Sequence, residues 1–94
     1  MATTAETLRL SARIIESQPH LRMSAVTAIR IAAGAGRVAH EHAEQVICEL
    51  ADHLGYGGYR DLGAQVERWS QTRTPDQIVA GLSAAADTVE KEGA

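Results

Sequence analysis

The sequence predicts an all-α fold, a compact bundle of about five helices that forms a single domain over residues 1–94. Apolar residues recur at spacings of three and four along most of the chain, which places them on one face of a helix. Residues typical of helix starts and ends separate these stretches. The chain has 94 residues, 45% of them apolar and 22% charged, and this length accommodates one small domain.

The predicted helices span residues 4–17, 25–33, 37–54, 59–70 and 75–90. Thr3 and Glu6 have the spacing of a capping box at the first helix start, and Pro19 disfavours helical geometry at the residue before it. Ser24 can cap the second helix. Because this second helix is apolar on most of its faces, we expect it to be the central one.

Glycines and a second capping pattern delimit the remaining helices. Gly34–Gly36 closes the second helix, since glycine readily adopts the left-handed backbone of a helix end. Gly55 follows the apolar stripe of the third helix. The short fourth helix ends its own stripe at Trp69, and Thr74–Gln77 combines a hydroxyl cap, a proline at the first helical position and an acidic first turn.

The core is predicted to be thin. The chain contains seven Leu, six Ile and six Val, no Phe, and seventeen Ala, which contribute little when buried. Small domains bury a smaller share of their surface than larger ones do. Self-association into a homodimer or another homo-oligomer would supplement such a core.

Charge and segment composition exclude several classes of protein. Residues 1–40 carry five arginines against two glutamates, a net +3, whereas residues 41–94 carry four basic and ten acidic groups, a net −6. This is not the dense basic surface that non-specific nucleic-acid binding requires. No apolar run is long enough for a membrane span. The first residues lack the pattern of a secretory signal, and the single Cys48 fits a reducing compartment, so we expect a cytoplasmic protein.

Potential metal ligands are concentrated on the third helix, at His40, Glu41, His42, Glu44, Glu49 and His53. His40 and Glu44 are four residues apart and share a helix face. Glu49 and His53 form a second such pair. Because no second helix supplies further ligands, a solvated polar face is favoured over a metal site or a metal-dependent enzyme.

Catalytic patterns are also missing from the sequence. Cys48 lies in an apolar stretch and no histidine base is brought to it, which predicts a buried structural thiol. No serine has the nucleophile-elbow pattern. We therefore predict a protein that is not an enzyme and uses no cofactor.

The turn at Gly34–Gly36 matches two patterns of nucleotide or nucleic-acid binding. With the three residues after it, the turn fits the phosphate-binding pattern G-x-G-x-x-A, but that site needs a parallel sheet, which the helical sequence does not provide. The turn also has the outline of a helix-turn-helix, in which Arg30 and Arg37 would contact DNA phosphates. His42 then falls where an apolar side chain should be buried, so an ordinary helical hairpin is favoured.

The residues most typical of a protein interface are Tyr56, Tyr59 and Trp69. The tyrosines lie in a glycine-rich loop, which suits a contact surface, although they could equally fold back over the thin core. Trp69 completes the apolar stripe of the fourth helix, which favours core packing. Its place near a helix end leaves an interface anchor as the alternative.

Three parts of the chain carry a resemblance to known sequences: the helix from Leu8 to Ile15, the alanine-rich stretch Ser24–Gly34, and the segment from Trp69 to Ala86. They resemble a family of short uncharacterised all-helical proteins from actinobacteria and their phages. The family looks like Trp-Asn-Asp at the start of that last segment, where this chain has Ser70 and Gln71. The resemblance implies an all-helical fold and a bacterial or phage setting, and the family brings no known activity.

These observations together predict a non-catalytic helical protein–protein interaction module that self-associates. The alternative is a small DNA-binding regulator that uses the hairpin around Gly34–Gly36. Exposed apolar surface near Tyr59 favours the first hypothesis, whereas binding of duplex DNA at low salt favours the second.

Overall fold

The computed structural model describes residues 2–93 and, over that range, contains five α-helices, one short 3₁₀ helix and no strand. The helices are α1 (Thr4–Ser17), α2 (Ala25–Ala33), α3 (Arg37–His53), α4 (Leu62–Gln71) and α5 (Pro75–Gly93). The 3₁₀ helix spans Pro19–Leu21 and joins α1 to α2. The predicted all-α bundle is confirmed. No helix in the described part of the chain is both long and apolar enough to cross a membrane.

The ends of α1 and α2 agree with the prediction because local caps determine them. Thr3 N–H donates to Glu6 Oε1 at 2.9 Å, and Glu6 N–H donates to Thr3 Oγ1 at 3.1 Å. The backbone and side-chain hydrogen bonds from Thr3 lower the pKa of Glu6. Ser24 Oγ accepts from Thr27 N–H at 3.1 Å and caps α2.

Four other helix ends differ from the prediction, and one of them is the end of α4, at Gln71 rather than residue 70. Helix α4 begins at Leu62 rather than residue 59, because Asp61 is its cap and accepts from Ala64 N–H at 3.0 Å. Helix α3 ends at His53, one residue early, with Leu54 as its C-cap. Helix α5 continues to Gly93.

Helix α1 packs mainly against α5 and α2, while α3 contacts α1, α2, α4 and α5. One apolar cluster runs between them, and its fully buried large side chains are Leu8, Ile15, Ile29, Val46, Ile47, Leu50, Val66 and Leu82. Alanines from α1, α2, α3 and α5 fill the space between these side chains. The small alanine side chain lets neighbouring helix backbones approach one another.

Helix α2, expected to be central, contacts α1, α3 and α4 but buries its apolar side chains on one face only. Only Ala25, Ala28 and Ile29 of this helix are buried, and Ile31 is 54% exposed. Two isoleucines that are two positions apart lie about 200° apart around a helix, so only one of them can face the core. The broad apolar surface of α2 is therefore partly a solvent-facing surface.

An ion-pair cluster joins the first and last helices. The Arg9 Nη2 atom lies 2.9 Å from Asp87 Oδ1 and 3.0 Å from Glu90 Oε2. Hydrogen bonds to Glu90 and Asp87 raise the pKa of Arg9 above its ordinary value. The groups are exposed, so this cluster adds little to stability.

Trp69 lies over Gly81 and links α4 to α5. A Cβ atom added at Gly81 would lie 2.7 Å from Trp69 Cη2 and 2.8 Å from Trp69 Cζ2, closer than carbon atoms pack. The indole is 8% exposed and part of the core. Glycine is therefore the residue that leaves room for the indole ring.

We predict that Gly81→Ala destabilises the protein by about 1–3 kcal/mol, because the added methyl group overpacks the Trp69 ring. Gly63→Ala is the matched control, since its Cβ would meet only Asp61 Oδ1 at 3.6 Å, an ordinary contact. It should stabilise α4 by about 0.5 kcal/mol. Urea unfolding followed by circular dichroism measures both. Equal effects of the two substitutions would contradict the close approach of Trp69 and Gly81.

Candidate functional site

The tyrosine loop, residues 55–61, is an ordered turn that presents an aromatic side chain. Gly55 N–H donates to Asp52 O at 3.1 Å and Tyr56 N–H donates to Ala51 O at 2.9 Å, the hydrogen bonds of a Schellman motif at the end of α3. Gly55 has the positive φ of 92° that this motif requires. The motif holds Tyr56 against the core, where it is half-buried.

The Tyr59 side chain packs against the Tyr56 ring. The Tyr59 N–H donates to Tyr56 O at 3.0 Å, and the two rings meet edge to face, with centroids 5.5 Å apart and an interplanar angle of 88°. This arrangement is a favourable geometry for an aromatic pair. The Tyr59 side chain nevertheless remains 54% exposed. The structure thus brings these two predicted interface residues together and places Trp69 apart from them, in the core.

The arginines of the α2–α3 hairpin lie beside carboxylates. Arg30 Nη2 is 2.8 Å from Glu44 Oε1, and Arg37 Nε is 3.6 Å from Glu41 Oε1. Each carboxylate offsets the positive charge that its arginine would offer to a DNA phosphate. This geometry does not favour the helix-turn-helix alternative.

Three of the six ligand candidates of α3 have side-chain partners in the protein, and one of them is Glu41 with Arg37. His42 Nε2 lies 2.8 Å from Thr7 Oγ1, which is buried in α1, and Glu44 is paired with Arg30. Within residues 2–93, no group of three or more histidine, cysteine or acidic side chains is placed to hold a metal ion. His42 therefore takes part in α1–α3 packing.

The expectation of a buried thiol at Cys48 is wrong, because Cys48 is exposed. The core face of α3 contains Ile47 and Leu50. Successive residues are rotated by about 100° around a helix, so Cys48 lies outside the face that contains its neighbour Ile47. An apolar sequence neighbourhood was not sufficient to predict burial.

A cleft of about 710 Å³ lies between the 3₁₀ helix and the α4–α5 turn. Its walls carry the basic side chains of His20, Arg22 and Arg73. The other polar residues are Ser70, Gln71 and Thr74, and the apolar ones are Pro19, Met23, Pro75 and Ile78. Sequence analysis did not identify this cleft, because its two walls come from chain segments about 50 residues apart.

Ser70 holds the two walls of the cleft together. It is 5% exposed, and its Oγ accepts a hydrogen bond of 2.9 Å from Ala25 N–H at the start of α2. The first amides of a helix have no partner within the helix, so this bond satisfies a buried donor. In the sequence, Ser70 is a serine next to the apolar stripe of α4. That position does not indicate that its hydroxyl bonds to Ala25 N–H.

The fold is all-helical over the described residues and carries an exposed aromatic turn and a cleft. The sequence model of DUF6197, a family of unknown function, matches residues 1–88. The chain therefore belongs to this family. No curated protein and no solved structure matches it.

We predict that Ser70→Ala lowers the free energy of unfolding by about 1–3 kcal/mol, because it leaves the buried Ala25 N–H without an acceptor. Ser17→Ala is the matched control, since the exposed Ser17 hydroxyl donates only to Ile14 O. Its effect should stay within about 0.5 kcal/mol. Urea titrations of the two variants make the comparison, and a Ser70→Ala variant as stable as Ser17→Ala would refute the role of this bond.

The exposed Cys48 should react with 5,5′-dithiobis(2-nitrobenzoic acid) in the native protein. We expect one thiol per chain to be modified, at a rate within about tenfold of the rate in urea-unfolded protein, because no structure covers the sulfur. Absorbance at 412 nm measures the reaction. A protection of several hundredfold would show that Cys48 is buried.

Proposed function

We propose that this protein is a non-catalytic helical interaction module that self-associates through the surface around Tyr59. The observation that carries the proposal is an exposed aromatic side chain in a defined position. Residues of this kind dominate many protein interfaces, because they bury a large area in a single contact. The same surface is the candidate contact with any other protein partner.

The order of the tyrosine loop supports this proposal. Association is weakened by the entropy lost when flexible side chains and loops become ordered. Here the Schellman motif and the Tyr56 ring hold Tyr59 before any partner binds. A tyrosine side chain also suits both the free chain and the associated one. Its apolar ring can be buried at an interface, while its hydroxyl remains hydrated.

The alanine-rich core gives a second line of support. Of the eighteen core residues, eight are alanines, which add little to the free energy of burial. Association would bury further apolar surface and stabilise the folded chain by mass action. We also propose a bacterial or phage setting, on the resemblance described above, and a cytoplasmic location, in which the exposed Cys48 would stay reduced.

Light scattering coupled to size exclusion, over a dilution series, tests the interface. We predict that Tyr59→Ala weakens self-association about 30-fold, the effect of removing a side chain that contributes about 2 kcal/mol at an interface. Val38→Ala is the matched control, because Val38 is an apolar side chain, 59% exposed, at the α2–α3 hairpin. It should leave the dissociation constant unchanged.

Two results would overturn the proposal. A native chain that stays monomeric at every concentration excludes self-association. A dimer that Val38→Ala weakens and Tyr59→Ala does not would place the interface at the α2–α3 hairpin. Circular dichroism spectra of both variants must match that of the native protein, which shows that any loss of association is not a loss of folding.

A further inference from the structure

We propose that the cleft between the 3₁₀ helix and the α4–α5 turn binds a small organic anion. The anionic group would lie between Arg22 and Arg73, and the apolar part of the ligand against Met23 and Ile78. This proposal is independent of self-association at Tyr59. Its ligand class is set by the size, charge and lining of the cleft.

The size of the cleft suits a small molecule. Its volume of about 710 Å³ falls within the range of roughly 300–1,000 Å³ that ligand pockets occupy. Its walls come from two segments that the Ser70–Ala25 hydrogen bond holds together. A ligand would therefore enter a cleft that already exists in the free protein.

The charge of the cleft favours an anion. Its lining includes Arg22 and Arg73 but no aspartate or glutamate. Within the described chain, neither arginine lies within 4.0 Å of a carboxylate, whereas Arg9, Arg30 and Arg37 each do. The whole chain carries a net charge of −3, so this basic cleft runs against the overall charge of the protein.

Arg22 has an unusual backbone conformation, and Arg73 has a side-chain hydrogen bond that orients it. Arg22 has φ 50° and ψ 43°, a left-handed conformation that favours glycine or asparagine over arginine. It is the one such non-glycine residue among residues 2–93. Arg73 Nη1 donates to Thr72 Oγ1 at 3.0 Å, which orients the guanidinium and leaves its Nε and Nη2 donors for a ligand.

The apolar lining indicates an organic anion rather than an inorganic one. Pro19, Met23, Pro75 and Ile78 line the same cleft as the arginines. An inorganic ion would leave these surfaces in contact with water. A carboxylate, sulfonate or phosphate attached to a hydrocarbon or aromatic body would cover them while it met the basic groups.

Two fluorescent probes of nearly the same shape can separate charge from apolar contact. The anionic probe is 1-anilinonaphthalene-8-sulfonate, and the neutral probe is N-phenyl-1-naphthylamine, which lacks the sulfonate. Trp69 is the single tryptophan and precedes Ser70 of the cleft wall. Energy transfer from Trp69, excited at 295 nm, reports probe bound to the protein, and the substitutions below test whether the cleft binds it.

We expect a variant with Arg22→Gly and Arg73→Gln to bind the anionic probe at least tenfold more weakly and the neutral probe with unchanged affinity. Arg22→Gly keeps a residue that accepts the left-handed backbone, so the variant should fold. The matched control combines Arg13→Gln with Lys91→Gln, two exposed basic residues outside both the cleft lining and the tyrosine loop. It removes the same charge and should retain native affinity for both probes.

Each other result overturns the proposal. Equal weakening in the cleft variant and the control would show a general electrostatic effect. Native affinity for the anion in the cleft variant would show that these arginines do not bind it. Equal loss of both probes would show an apolar site without selectivity for anions. Native thermal unfolding and circular dichroism of each variant establish that the folded protein is being compared.

Discussion

The close approach of helices over an alanine-rich core is the constraint on which the rest of this structure depends. Eight of the eighteen core residues are alanines, so the larger side chains fill the space only when the helix backbones lie near one another. The same constraint acts where Trp69 meets α5, since Gly81 alone leaves room for the indole. A core of this kind tolerates little added volume.

Side-chain hydrogen bonds join the helices of this bundle, and one of them lies next to a proposed binding surface. Ser70 Oγ of α4 accepts a hydrogen bond from the first amide of α2, and this bond holds the two walls of the cleft together. Thr7 and His42 make a similar connection between α1 and α3. Within the described residues, no buried side-chain nitrogen or oxygen lacks a partner. The buried polar groups of this small bundle therefore join its helices. Arg22 and Arg73, which have no carboxylate within 4.0 Å in the described residues, lie at its surface.

The two proposed binding surfaces lie before and after α4. The tyrosine loop precedes the helix and the cleft is at its far end, so the ten residues of α4 separate them by about 15 Å. Self-association at Tyr59 and anion binding at Arg22 and Arg73 can therefore be tested separately. The two surfaces also differ in chemistry, since the loop presents an aromatic ring outward and the cleft would surround a ligand with basic and apolar groups.

The sequence by itself determined the all-helical fold and the ends of α1 and α2, because capping hydrogen bonds and helical periodicity act over three or four residues. It also placed Tyr56 and Tyr59 in a turn, since glycine-rich turns are a local feature. Only the tertiary structure decided which face of α2 is buried and that Cys48 is exposed. It alone formed the cleft, because Arg22 and Arg73 are about 50 residues apart. Which face of a helix is buried depends on the helices that pack against it, and no local pattern contains that information.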